Sequence, residues 1–185
     1  MIKNLVNMLR LSIVFLIVVA CQDRRKLQPC RLFIYSSYSK IYQIDFNGID
    51  SVRTVCGELR CGSFDKQGRI VNIHSPFSCI YMQKAQKIEP IQSRNLNVIL
   101  NRLNNRIITD TVKGEIKDVW NICLVLDKQI INLQTAGIKD GDIQMLVDSL
   151  KEYSPLFIND YSNGWFGIDA ELEMIRMYDK RKDKY

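Results

Sequence analysis

Val119-Trp120-Asn121-Ile122-Cys123-Leu124-Val125-Leu126 is the strongest strand signal in the chain, and the residues after it decide the fold. Asp127-Lys128 can reverse the chain, and Gln129-Ile130-Ile131-Asn132-Leu133 returns as a hairpin partner. An apolar hairpin must bury its inner face against something. The flanking segments supply covers. After the hairpin, Gly137 and Gly141 mark a loop, and Asp140 or Asp142 can cap a helix running to about Tyr153. Its apolar stripe is Ile143, Leu146, Val147 and Leu150. Before the hairpin, Ser93 is a suitable N-cap for a helix over residues 94–108, with Leu96, Ile99, Leu100, Leu103 and Ile107 at helical spacing. Asn95, Asn101, Asn104 and Asn105 lower its propensity, so packing must hold it.

Working outward, residues 32–35 form a β-type run that Ser36 to Ser39 interrupts. Residues 41–46 alternate and end at the turn signal Asn47-Gly48, with residues 51–55 as the partner strand. Residues 56–62 carry two glycines and predict another turn. Residues 69–73 and 79–82 are short strand candidates around Pro76, and Pro90 makes residues 88–91 a joint. Residues 109–118 are a polar connection. Beyond Pro155, residues 156–158 predict an edge strand, and residues 169–178 a last short helix with Leu172, Ile175 and Tyr178 on one face. The expected fold is α+β: an antiparallel sheet packed by two amphipathic helices, in a two-layer sandwich. One domain spans residues 30–178, followed by a charged tail, 179–185.

The formal net charge is +6, of which Lys3 and Arg10 supply two. Part of the remainder sits in the tail, where Lys180, Arg181, Lys182 and Lys184 outnumber Asp179 and Asp183. This is a solvated tail and not a nucleic-acid footprint. His74 is the sole histidine and falls in no nucleophile motif; with Cys61 or Cys79 it defines the one thiol-histidine hydrolase reading. Cys30, Cys56, Cys61 and Cys79 are candidates for disulfides, for example Cys56 with Cys61 and Cys30 with Cys79. Cys123 reads as a buried free thiol inside its strand. One C-x4-C pair without a second does not make a zinc site, so no metal or cofactor is expected. Asp45 with Asp50, and Asp140 with Asp142, are the nearest approach to carboxylate pairs, and Asp140-Gly141-Asp142 is better explained by helix capping. Trp165 and Phe166, between Gly164 and Gly167, are candidate partner contacts on a loop.

The N-terminus carries an address. Lys3 and Arg10 precede an apolar run, residues 11–19, broken only by Ser12, and Val18-Val19-Ala20-Cys21 follows. The uninterrupted part, residues 13–20, is shorter than the roughly 20 residues that cross a bilayer. A longer anchor helix from Leu5 is interrupted by Asn7 and Arg10. This pattern resembles the signal and lipobox of bacterial lipoproteins. The resemblance implies cleavage after residue 20, a lipid on Cys21, and a tether over residues 21–29. The same resemblance implies that Gln22, in place of an Asp, favours the outer membrane over inner-membrane retention, facing the periplasm. Arg24-Arg25-Lys26 lies beside that anchor and suits anionic headgroups.

These readings point to a lipid-anchored, non-enzymatic binding module of the cell envelope, with an envelope protein as partner and an inhibitor or immunity-type role. The hairpin-helix order is similar in architecture to small inhibitor or ligand-binding domains of envelope proteins, an analogy without a motif. The alternatives are a structural envelope lipoprotein and the His74 thiol hydrolase.

Overall fold

A computed structural model describes residues 28–35, 40–63, 65, 68–109, 120–134 and 138–158. Among them lie β1 (Cys30–Tyr35), β2 (Lys40–Phe46), β3 (Ser51–Leu59), β4 (Phe77–Lys87), α1 (Pro90–Asn104), β5 (Asn121–Val125), β6 (Ile130–Gln134) and α2 (Gly141–Glu152). The strands form one open, six-stranded antiparallel sheet in the order β4-β3-β2-β1-β5-β6. The fold is α+β. Its two central strands are β2 and β1, and Leu32 of β1 pairs with Ile44 of β2 on one side and Leu124 of β5 on the other.

Side chains alternate across a strand, so β1 feeds two apolar clusters. Leu32 and Ile34 join Tyr42, Ile44, Ile122 and Leu124 beneath the helices. Phe33 and Tyr35 join Ile41 and Cys123 on the opposite face. That double burial explains why residues 32–35 read as a continuous apolar run without alternation. By the same parity, Arg31, Gln43, Asp45 and Arg53 belong to the second face. Arg31, Asp45 and Arg53 are in fact opposite one another across three adjacent strands.

The Asn47-Gly48 signal makes its turn. Asn47 Oδ1 accepts from the backbone N–H groups of Ile49, Asp50 and Ser51 at 2.8, 3.0 and 3.0 Å. Gly48 takes φ +83°, open to glycine at no steric cost. The partner strand does not stop at Val55, however. It runs to Leu59, and Gly57 sits inside it at a register shift. A Cβ on Gly57 would collide with the Cys79 carbonyl oxygen and with Phe77 of β4. The residue therefore permits a close crossing of two strands, and the turn comes later, where Ser63 N–H donates to the Arg60 carbonyl at 3.0 Å.

Both amphipathic helices pack on the first face. Leu96, Ile99, Leu100 and Leu103 of α1, and Ile143, Leu146, Val147 and Leu150 of α2, are buried there. Helix α2 starts as expected, with Asp140 Oδ1 accepting from Asp142 and Ile143 N–H at 3.0 and 3.2 Å. Helix α1 starts earlier than expected. Pro90 is inside it and Glu89 is the N-cap, with Gln92 Oε1 accepting from Glu89 N–H at 2.9 Å. Proline fits a first turn because its missing N–H would have no partner there anyway. Ser93 is thus not a cap, and its hydroxyl donates to the Ile49 carbonyl instead. The helix also ends at Asn104, which leaves Ile107 exposed and off the stripe.

Two expected strands are absent. In residues 69–73 only Ile70 makes an isolated bridge. Residues 156–158 carry buried Leu156 and Ile158 without ladder pairing. Ser154 holds them: its hydroxyl meets Thr54 Oγ1 at 2.8 Å and accepts from Leu156 N–H at 3.1 Å. The signal segment, the helix expected at 169–178 and the tail lie outside the described residues.

Candidate functional site

Half of the second sheet face is apolar and half is charged. Residues that follow β3 fold back over the apolar half, placing Ile70 against Phe33, Tyr35 and Leu59. Tyr35 fastens this cover: its hydroxyl donates to the Gly68 carbonyl at 2.8 Å and accepts from Ile70 N–H at 3.1 Å. Where the cover ends, a groove of about 530 Å³ opens between it and the charged half. Arg31, Arg53 and Arg60 line it with His74, and among the described residues no carboxylate does.

Each guanidinium is held in place. Asp45 Oδ1 accepts from Arg31 Nε at 2.7 Å, and Asp45 Oδ2 accepts from Arg53 Nη2 at 2.6 Å and Nε at 3.1 Å. Gln43 Nε2 adds a bond to Asp45 Oδ2 at 2.7 Å. Arg31 Nη1 also reaches the Ile73 carbonyl at 3.3 Å, and Arg60 binds the Phe77 carbonyl through Nε and Nη2 at 3.2 and 3.1 Å. One acid therefore balances one of three fixed positive charges. A guanidinium has five N–H donors. Every one of these arginines keeps an unengaged nitrogen: Nη2 of Arg31, and Nη1 of Arg53 and Arg60. Such an array suits an anionic ligand.

No family model, curated protein or solved structure matches this chain.

The candidate residues of the sequence scatter. Cys21, Trp165 and Phe166 lie outside the described residues. None of Cys30, Cys56, Cys61, Cys79 and Cys123 is in a disulfide. Register separates the suggested pairs. Cys30 is opposite Phe46, whereas Cys79 is opposite Glu58, which is opposite Lys40 at the other end of β2. Strands β1 and β4 are also three places apart, roughly 14 Å at about 4.8 Å per strand. A disulfide tolerates a Cα separation of no more than about 7 Å. Cys56 and Cys61 are held apart by the continuation of β3, about 10 Å from Cys56 to Leu59 alone.

The groove does bring His74 and Cys79 to one lining, which sequence spacing did not reveal. The Cys79 thiol, however, is directed at the Ile80 carbonyl at 3.9 Å. Asp45 and Asp50 part company, since Asp50 faces Lys87 at 3.8 Å. Asp140 and Asp142 bind Arg106 at 2.7 and 3.2 Å, closing the end of α1 onto the start of α2. Among the described residues, no three His, Cys, Asp or Glu side chains converge as a metal-binding group, and no helix is long and apolar enough to cross a membrane.

Burial governs the inner thiols. It pushes Cys30 up to about 12, helped by the negative charge of Asp45 and opposed by a backbone hydrogen bond at Phe46. It pushes Cys56 up to about 11 against the pull of Lys40 and a hydrogen bond from Tyr42. Burial in turn lowers Lys40. The thiolate is the nucleophile, so a raised pKa suppresses reaction. Alkylation at a pH of about 8 is expected to mark the exposed Cys61 and Cys79 and to spare Cys30, Cys56 and Cys123 until unfolding. As pH rises, Cys56 should open before Cys30. Peptide mapping checks this; early labelling of Cys30 contradicts the burial at that end of the sheet.

Proposed function

We propose that the chain is a lipid-anchored cell-envelope protein acting as a non-enzymatic binding module. In this reading Cys21 carries the lipid, in the outer membrane facing the periplasm, and the two-layer α+β sandwich is the recognition body. The binding half of the proposal is carried by the arginine-lined groove, whose cations are held ready on the open face of the sheet. Preorganised donors lose little freedom when a ligand arrives. The anchoring half rests on residues 1–21. An envelope protein is the proposed partner, in an inhibitor or immunity-type pairing.

The test of the anchor is mass spectrometry of the mature N-terminus from the membrane fraction. The expected product begins at Cys21 with a diacylglyceryl group on its sulfur. A chain that retains Met1, or a bare cysteine in the soluble fraction, rules the proposal out.

A further inference from the structure

We infer that the groove receives an extended acidic segment of a protein partner. The inference rests on the reading of the chain as a binding module and adds the chemistry of what is bound. Three observations carry it. The first is charge: Arg31, Arg53 and Arg60 line the groove, no carboxylate among the described residues does, and Asp45 behind them offsets one charge. The second is preparation. Asp45 holds Arg31 and Arg53, the Ile73 carbonyl holds Arg31 at a second nitrogen, the Phe77 carbonyl holds Arg60, and one nitrogen of each guanidinium is left for a ligand. Carboxylates match guanidinium geometry in two-point contacts, which makes arginine the suitable residue for this recognition.

The third is length. Arg53 and Arg60 are seven residues apart along and just beyond β3, or roughly 20 Å of extended backbone. Val55, Phe77 and Ile80 line the stretch between them. Backbone positions that far apart suit an extended segment better than a single phosphate or carboxylate. Such a segment would carry acids at its two ends and apolar residues between.

The full-length chain in detergent is titrated into a fluorescently labelled ten-residue peptide with glutamates at both ends and valine and leucine in the middle. A glutamine counterpart serves as the comparison. The acidic peptide is expected to bind at least about tenfold more tightly, and added salt to weaken it as exposed charges are screened. Arg53→Glu and Arg60→Glu are each expected to weaken binding about tenfold or more. Arg106→Glu, at the helix ends, leaves it unchanged. Glutamate at 53 would face Asp45, so Arg53→Gln is measured alongside, with circular dichroism confirming the fold. Equal binding of the two peptides overturns the inference. So does binding that ignores both groove arginines, or inorganic phosphate alone occupying the groove with the same arginine dependence. A lipidated chain that ignores the acidic peptide removes this inference and leaves the anchor intact. A chain without lipid that binds the peptide does the reverse.

Discussion

Gly57→Ala is expected to destabilise the fold by about 3 kcal/mol and to weaken groove binding with it. The added methyl meets the Cys79 carbonyl oxygen and the Phe77 ring, and neither can retreat cheaply. The carbonyl belongs to the backbone of β4, and Phe77 is wedged against the second-face cluster. Relief would require β4 to move away from β3, taking with it the groove wall that holds Arg60 through the Phe77 carbonyl. Two other glycines separate this effect from simple loss of backbone freedom. Gly62 has open space around it but takes φ +80°, so alanine there should cost about 1 kcal/mol. Gly141 has open space and no positive φ, at the first position of α2, so alanine should be neutral or slightly stabilising. Urea unfolding of the three variants measures the order. A Gly57→Ala variant no weaker than Gly62→Ala would refute the close crossing.

Leu100→Ala is expected to cost about 3 kcal/mol, a drop of roughly 6–12 °C in Tm for a domain of this size. Leu100 is fully buried in the cluster that joins both helices to the sheet. Truncation loses its transfer free energy and leaves a cavity that a close-packed core collapses only in part. Val98, one turn face away and half exposed, is the control: Val98→Ala should change stability by less than about 0.5 kcal/mol. Comparable losses at both positions would mean that α1 does not use this stripe against the sheet.

Much of the architecture was legible because period and turn chemistry agreed. The apolar run 122–126 and its return at 130–133 flank the turn at Asp127-Lys128, both helices bury their stripes except for Ile107, and Asp140 offers its carboxylate where a helix needs it. Failures came where tertiary packing outweighed a local signal. Ser93 looked like a cap, but Pro90 and Gln92 let the helix begin a turn sooner, and the serine hydroxyl found a carbonyl on the neighbouring turn. Gly57 looked like a breaker, but a missing side chain also lets two strands cross closely. Residues 69–73 and 156–158 have β-type composition and are buried in places, yet among the described residues Ile70 makes only an isolated bridge and 156–158 join no strand. The groove was the least legible feature. Alternation in residues 41–46 already put Gln43 and Asp45 on one face, but nothing in the sequence reveals that Arg31 and Arg53 stand on either side of Asp45. That requires two registers, β2 against β3 across the Asn47 turn for Arg53, and β1 against β2 for Arg31.

The chain that covers the second face leaves β3 at Leu59 and re-enters β4 at Phe77, and these two residues are direct ladder partners. Its base is therefore already closed by the sheet, like a handle on a lid. The stretch between is expected to tolerate exchange for another of different length without altering strand register, provided that an apolar residue still covers Phe33 and Tyr35 as Ile70 does, because none of its described residues belongs to a ladder of the sheet. The sheet supplies most of the groove, from β1 to β4, and this handle adds Arg60, His74, Ser75 and Pro76 to its rim. Grafting a different handle is thus the direct way to retarget the molecule while keeping its scaffold.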